Sequence, residues 1–285
     1  MRFFTRLVSR DVPPLAVLAL ALFFAPASAS AQYSAPDMGG GSAIGEKYHV
    51  EVAGTLWDPQ LTGVISSEQF KITGSQIDLL TDLGYTKTRF RDLRLVLRPS
   101  KKSKFRVQYT PIEYTAETSF KKALVFNGIS FPVAVPIESH FTWKVWRLGY
   151  EYDFLYKPRG FVGMLVEGRL TTAEARLATK TPIISPAMDE YNRRSAPLPA
   201  IGLVGRAYPL RQLALNFEVS GMKLPNVDPR YQATYFDWNI GGTVNVTNYF
   251  GVQVGWRKVT NFMVIERDSG DLKFQGMWFG AAVRY

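Results

Sequence analysis

Segments of alternating polarity recur along almost the entire chain, and this pattern constrains the fold more than any other feature. The last segment, residues 272–285, places Phe279, Val283 and Tyr285 on one face and Arg284 on the other. Such a period of two is typical of a β-strand with one apolar face. About ten segments, each roughly ten residues long, follow one another between polar turns, so we predict an all-β protein.

The composition excludes several classes of protein. The 285 residues include no cysteine and only two histidines, so neither a disulfide nor a thiolate metal site is expected. The mean hydropathy of −0.06 is too low for a bundle of transmembrane helices. The formal net charge is +10, but the lysines and arginines are scattered over strands and turns. We therefore expect no nucleic-acid partner; basic loops near anionic lipopolysaccharide are the alternative use of this charge.

The N-terminus has the pattern of a targeting segment. Several arginines precede Leu15–Phe24, an uninterrupted apolar stretch that is too short to span a bilayer. Small residues follow at Ala29–Ala31, with Ala27–Ala29 as an alternative cleavage site. We predict a signal peptide over residues 1–31, a flexible periplasmic lead-in over 32–45 and a barrel over 46–285.

The last strand ends on an aromatic residue in register with its apolar face, and it resembles the C-terminal strand of Gram-negative outer-membrane β-barrel proteins. The resemblance implies a transmembrane, antiparallel, up-and-down barrel of about ten strands, alternatively about 8 or 12. It also implies a monomer in the cell outer membrane, in contact with lipid and lipopolysaccharide. The assembly signal, read by the barrel assembly machinery, would be Phe279, Val283 and Tyr285. A soluble β-sandwich or lipocalin-like barrel is the alternative fold.

The predicted connections alternate in length, which indicates an orientation. Long connections follow the first, third, fifth, seventh and ninth strands, and short turns follow the others. Outer-membrane barrels have this asymmetry, with long extracellular loops and both termini in the periplasm. The long loop over residues 58–87 and the hairpin signal at Asn127–Gly128 are candidate binding elements.

Two irregularities interrupt the alternation. Pro111 indicates a β-bulge or an edge-like break in the third strand, and the change in apolar parity of the fourth strand near Trp146 is interpreted as a β-bulge. Phe141 and Trp143 are assigned to the lipid side, which directs His140 into the lumen. The aromatic residues expected to form interfacial girdles are Tyr156, Phe161, Tyr208, Tyr249, Phe250 and Tyr285 on the periplasmic side, and Trp57, Trp143, Tyr235 and Trp256 on the outer side.

The polar faces of the strands carry charges of both signs, which we expect to point into the lumen. About ten strands enclose a space only slightly wider than side chains can fill, so long Arg and Glu side chains would pair across it. The residues of this predicted network are Asp92, Arg94, Arg98, Arg106, Lys144, Glu151, Glu167, Arg169, Glu218, Asp237 and Arg257. A plugged lumen is one interpretation, and a narrow conduit for small solutes is the other.

The sequence offers little support for catalysis. Omptin proteases resemble this chain in strand number, but no Asp-x-His or Asp-x-Asp occurs in a matching strand. Lipid A deacylases use His, Ser and an acid, yet alternation puts Ser139 and His140 on opposite faces of one strand, with Glu138 beside His140. We predict no catalytic residue, metal site or cofactor, and a structural or binding role through the loops. A barrel hydrolase that cuts lipid or peptide at the extracellular rim is the alternative.

Overall fold

A computed structural model describes residues 43–68, 74–179, 189–224 and 230–285. These residues all belong to one compact unit. The predicted signal peptide and nearly all of the predicted lead-in lie outside the described residues. Within the described part of the chain, no helix is long and apolar enough to cross a membrane.

Ten long antiparallel strands of the described chain form a closed ring. Each strand pairs with the next, and β13 (Asp268–Arg284) pairs with β1 (Val50–Ser66) along its whole length. The other strands of the ring are β3 (Phe90–Leu97), β4 (Ser103–Ser119), β7 (Pro136–Lys157), β8 (Gly160–Thr179), β9 (Asp189–Ala207), β10 (Leu213–Lys223), β11 (Tyr231–Asn245) and β12 (Phe250–Ile265). The predicted up-and-down barrel of about ten strands is confirmed.

Three short strands lie in the connections at one end of the ring, which we name the loop end. β2 (Ile77–Asp78) pairs with β1, while β5 (Leu124–Phe126) and β6 (Ile129–Phe131) form a separate hairpin. The turn at Asn127–Gly128 has φ values of 50° and 83°, as a tight hairpin requires. The Asn-Gly signal therefore predicted this hairpin correctly. The opposite end, where Val50 pairs with Tyr285, is named the terminal end.

The outer face of the ring changes from apolar to polar along each strand. On β7, Leu148 and Trp146 are exposed apolar residues, whereas the next outward position toward the loop end is Lys144. The outer faces of β4 and β8 change from apolar to polar beyond Tyr109 and Leu170, the two residues that pair with Trp146. The exposed apolar side chains thus form a belt around the terminal half of the barrel. A closed ring has no unpaired sheet edge, so this belt suits the hydrocarbon core of a bilayer.

The inner face changes in the opposite sense. On β7, the inward residue Arg147 is charged, and the next inward position toward the loop end, Val145, begins a buried apolar run that continues with Trp143 and Phe141. Residues from the other strands and from the connections complete this apolar core. They include Trp57, Leu61, Leu79, Leu83, Phe90, Ile112, Tyr114, Phe120, Phe126, Phe131, Leu177 and Phe274. Polarity inverts because the strands leave the belt, so that water replaces lipid outside and apolar side chains face inward.

This inversion accounts for the change of parity near Trp146, and the bulge predicted there is wrong. At Pro111 there is no bulge, and the alternative of an edge-like break is confirmed. β4 pairs with β7 in unbroken register through Tyr109↔Trp146 and Pro111↔Lys144. The register of β7 with β8 shifts elsewhere, between Tyr152 and Leu155. Pro111 fits because the ladder between β3 and β4 ends at Tyr109, which leaves one edge of β4 without a partner strand.

The lipid-side assignments of Phe141 and Trp143 are also wrong, because both side chains are buried inside the barrel. His140 and Glu138 consequently lie on the outer face rather than in the lumen. Of the predicted girdle, Trp57, Phe161, Tyr208 and Tyr235 are buried inside as well, whereas Tyr249, Phe250, Trp256 and Tyr285 are exposed.

Several strand ends differ from the prediction. β1 continues to Ser66 through the first third of the predicted 58–87 loop, and β9 begins at Asp189. β12 and β13 join through the two-residue turn at Glu266 and Arg267, so the long connection predicted there is wrong. The strands extend beyond the belt, and their inner faces there enclose the apolar core near the loop end.

The inversion predicts different costs for the same substitution at two outward positions of β7. Leu148→Arg places a cation in the belt and is expected to lower the free energy of unfolding by about 2–4 kcal/mol. His140→Arg lies beyond the belt, faces Glu113 at 3.1 Å and is expected to change stability by less than about 0.5 kcal/mol. Urea titration of protein folded into lipid vesicles measures both; equal costs would contradict the assigned belt.

Candidate functional site

Arg147 of β7 lies at the centre of an ion-pair network that fills the lumen within the belt. Its Nε and Nη2 donate to Glu167 Oε2 at 3.0 and 2.8 Å, and Nη2 also donates to Glu218 Oε1 at 2.5 Å. Its Nη1 donates to Gln108 Oε1 at 2.9 Å. Because β7 and β10 are not neighbours in the ring, the Arg147–Glu218 pair crosses the lumen.

A second crossing links β8, β11 and β12 to β3. Arg257 donates from Nε and Nη2 to Asp237 at 3.1 and 2.8 Å, and its Nη1 lies 3.4 Å from Asp92. Arg169 approaches Asp237 at 3.3 Å and donates from Nε to Glu167 at 2.6 Å. Each carboxylate therefore meets at least one guanidinium, as buried ions require.

The network continues toward the terminal end. Arg106 bridges Glu218 and Glu151, with 3.1 Å to the latter, and Lys104 Nζ lies 2.6 Å from Glu151. Further down, Arg98 donates to the side chain of Glu46 at 3.2 Å.

The strands that close the ring share a carboxylate near the terminal end. Glu51 of β1 accepts a hydrogen bond from Arg284 Nε of β13 at 2.6 Å, and Arg94 of β3 lies 3.5 Å from the other oxygen of Glu51. The pair Glu51–Arg284 thus ties the first strand of the ring to the last.

The structure brings together ten of the eleven charged residues predicted from the sequence. Lys144 is the exception, and its prediction is wrong: it lies on the outer face, one step beyond the belt. The network predicted from the sequence does not include Arg147, because assigning Trp143 to lipid places the odd-numbered residues of this strand on the outer face. The apolar residues Trp146 and Leu148 have the opposite parity. If they face lipid, Arg147 faces the lumen, and this was the signal in the sequence. The other partners that were missed are Glu46, Glu51, Lys104, Gln108 and Arg284.

Two small cavities lie beside the charged side chains of the lumen. One cavity of ≈ 60 Å³ lies among Glu51, Arg94 and Glu218, and one of ≈ 30 Å³ lies beside Asp92 and Arg257. A water needs roughly 10–15 Å³ of such volume, so each cavity holds a few waters at most.

The apolar core packs inside the barrel above the network. Arg257 stacks over the Trp57 ring at 4.9 Å and joins the two regions, and the Trp143 and Phe274 rings lie 5.5 Å apart. Tyr85, from the connection between β2 and β3, packs on Tyr114 with 5.5 Å between ring centroids. Burial raises the pKa of Tyr85 to about 12, an effect that a hydrogen bond with Ser139 only partly offsets, so it remains a neutral phenol.

A third cavity, of ≈ 90 Å³, lies inside the barrel at the loop end. Its walls are mostly apolar, and its rim includes the pair Arg194–Asp268, with 2.6 Å from Nε to Oδ2. Ser67 donates to the other oxygen of Asp268 at 2.8 Å. The residues that line the apolar part are Ile65, Phe126, Phe141, Trp143, Ala173, Ala175, Met263, Ile265 and Leu272.

Ser139 and His140, the candidate groups for hydrolysis, lie on opposite faces of β7. Ser139 is fully buried and donates to the carbonyl of Ala116 at 3.1 Å, whereas His140 lies outside, 3.1 Å from Glu113 and 3.0 Å from the hydroxyl of Thr115. Among the described residues, no group of three or more acidic, histidine or cysteine side chains is arranged to hold a metal ion.

No protein-family model and no curated protein matches the sequence. Among solved structures, the outer membrane protease OmpT from Escherichia coli is similar with a TM-score of 0.53 and 9% identity, over 83% of this chain and 96% of that one. The attachment invasion locus protein Ail of Yersinia pestis (TM-score 0.37, 8% identity, 83% of this chain and 99% of that one) and neisserial surface protein A (0.32, 13%, 83% and 97%) are more distant. The likeness to OmpT concerns the fold. Fold and belt together are those of an integral outer-membrane β-barrel protein, as the sequence predicts.

The network predicts that removing one lumen charge costs far more than removing an outer one. Glu218→Gln leaves Arg106 and Arg147 short of a carboxylate, and we expect a loss of about 3–5 kcal/mol in the free energy of unfolding. Lys144→Gln removes a charge on the outer face of the same barrel and should change stability by less than about 0.5 kcal/mol. The measurement is the urea concentration at the midpoint of unfolding in lipid vesicles. Equal midpoints for the two variants would contradict the buried network.

Proposed function

We propose that this protein is an outer-membrane barrel with a closed lumen that works by binding at its loop end. The proposal rests on one observation: two separate sets of side chains fill the interior of the barrel. Ion pairs between strands that are not neighbours cross the lumen within the belt, and a packed aromatic core fills the barrel beyond it. An interior filled in this way serves as a rigid support for its exposed end rather than as a path for solutes.

The orientation follows from the lengths of the connections. The short turns, such as Pro158–Arg159, lie at the terminal end, and the longer connections with β2 and the β5–β6 hairpin lie at the loop end. Outer-membrane barrels expose their longer loops outside the cell. In this orientation the apolar core and its cavity stand above the membrane, where an extracellular molecule reaches them.

The residues at the loop end favour binding over hydrolysis. The pairs His140–Glu113 and Ser139–Ala116 occupy opposite sides of the barrel wall, so nucleophile and base do not share a site. The hydrolase alternative would need a different set of groups at the rim. We therefore propose a non-enzymatic role, in which lipid and lipopolysaccharide surround the belt and a ligand binds at the loop end.

A closed lumen predicts that the purified protein carries no steady current in a planar bilayer. The double variant Glu167→Ala with Arg169→Ala removes a pair joined at 2.6 Å and should open space, so small events are expected to appear or grow. Glu113→Ala with His140→Ala is the matched control, because this pair lies on the outer face, and its trace should equal that of the unmodified protein. A large, stable conductance from the unmodified protein would contradict the closed lumen.

The chain end predicts an effect on assembly. The backbone of Tyr285 accepts hydrogen bonds from His49 and Val50 at 2.6 and 2.9 Å, and its side chain is 85% exposed on the outer face with Phe279 and Val283. We expect Tyr285→Asp to reduce the heat-modifiable barrel recovered from outer membranes at least severalfold, because the assembly machinery would no longer recognise an aromatic end. Tyr285→Phe is the control and should assemble normally; equal yields from both variants would contradict this role.

A further inference from the structure

The cavity at the loop end contains a polar group that has no partner among the described residues. Asn261 of β12 points into the barrel and is only 1% exposed, and its Nδ2 makes no hydrogen bond with the part of the chain that the structure describes. Its strand neighbours in register are Tyr235 and Leu272. A buried amide that donates to nothing is costly, because the group has lost its water without compensation. Such a group in a cavity wall indicates a site for a hydrogen-bond acceptor.

The rest of the cavity determines what kind of molecule carries that acceptor. Phe141, Trp143, Met263 and Leu272 give an apolar wall, and Phe126 of the β5–β6 hairpin covers it. Three charged residues line the cavity: Glu174, Arg194 and Asp268. Arg194 and Asp268 pair with each other at 2.6 Å. Glu174 alternates with Ala173 and Ala175, which pack against the core, so its carboxylate belongs to the outer face of β8. The interior of the site therefore offers a ligand apolar contact and one amide donor.

The size of the cavity restricts the ligand further. The volume of ≈ 90 Å³ is below the roughly 150 Å³ of an engineered apolar cavity that holds benzene. A group smaller than a benzene ring, such as a short branched chain or a small ring, fits the apolar part, while the rim, which includes the exposed Ser269, leaves room for a substituent to project outward.

From these features, and resting on the proposed binding role, we propose that the loop-end cavity is a binding site for a small, uncharged, mainly apolar molecule with one carbonyl-type acceptor. The acceptor receives the hydrogen bond from Asn261 Nδ2, and the ring or branched chain packs between Trp143 and Met263. The hairpin holds Phe126 over the site because Asn127 donates to Glu190 of β9 at 2.6 Å. Uncharged ligands of this kind are recognised by contact and one hydrogen bond, which gives moderate affinity.

The test uses the full chain, purified in detergent from outer membranes after labelling of its methionine methyl groups with ¹³C. Met263 lines the cavity, whereas Met164 and Met277 are exposed in the belt and report any probe that merely enters the micelle. 2-Butanone is the probe with an acceptor, and 2-methylbutane is the matched probe of equal heavy-atom count without one. We expect both probes to shift the Met263 signal saturably, and only the affinity for 2-butanone to depend on Asn261.

Two variants separate the parts of the proposal. Asn261→Leu keeps a similar side-chain size but removes the donor, and it should weaken 2-butanone binding roughly threefold to tenfold without weakening the binding of 2-methylbutane. Ala175→Leu fills the cavity and should abolish the shift with either probe. Thr260→Val, on the outer face of the same strand, is the control and should bind as the unmodified protein does.

The outcomes that overturn the proposal are distinct from those that overturn the closed lumen. Absence of a saturable Met263 shift, or an equal effect of Asn261→Leu on the two probes, would mean that Asn261 meets water only and that the site is not one for such ligands. Neither result would alter the bilayer recordings. A porin-sized conductance would instead contradict the proposed function, whatever the Met263 signal does.

Discussion

Every strand of this barrel passes from hydrocarbon into water, and the rest of the structure depends on that change of solvent. In the belt, lipid accepts apolar side chains outside, so charges occupy the inside. Beyond Trp146 on β7, water requires polar residues such as Lys144 outside, so the apolar residues turn inward. The pleat continues without a break, and only the identity of the residues on its two faces is exchanged.

The charges enclosed by the belt are stable only as a set. A buried guanidinium or carboxylate loses its hydration and recovers that loss through partners with good geometry. Arg147 and Asp237 each have partners of opposite charge on strands from different sides of the ring, whereas Glu167 pairs with Arg169 of its own strand and Arg147 of the adjacent one. The network therefore joins the walls of the barrel.

The aromatic core of the loop half has a different consequence. It makes the exposed end a packed structure that the belt supports, with the β5–β6 hairpin attached by Asn127 to β9. A packed end can hold a cavity of defined shape, and it can keep a buried amide such as Asn261 aimed into that cavity. The lumen network and the cavity are thus two results of one division of the barrel into a membrane half and an aqueous half.

The sequence by itself determined the closed antiparallel barrel, the short turns and ten of the charged lumen residues, because alternation within the belt is a local property of each strand. It also identified the Asn127–Gly128 hairpin, since the turn needs those residue types. Only the tertiary structure decided where each strand leaves the belt. That level depends on how neighbouring strands are staggered, so alternation alone places Trp143 toward lipid and leaves Arg147 out of the lumen network. The partners of each charge, and the lack of one for Asn261 Nδ2, were likewise decided by side chains that meet across the ring from distant parts of the chain.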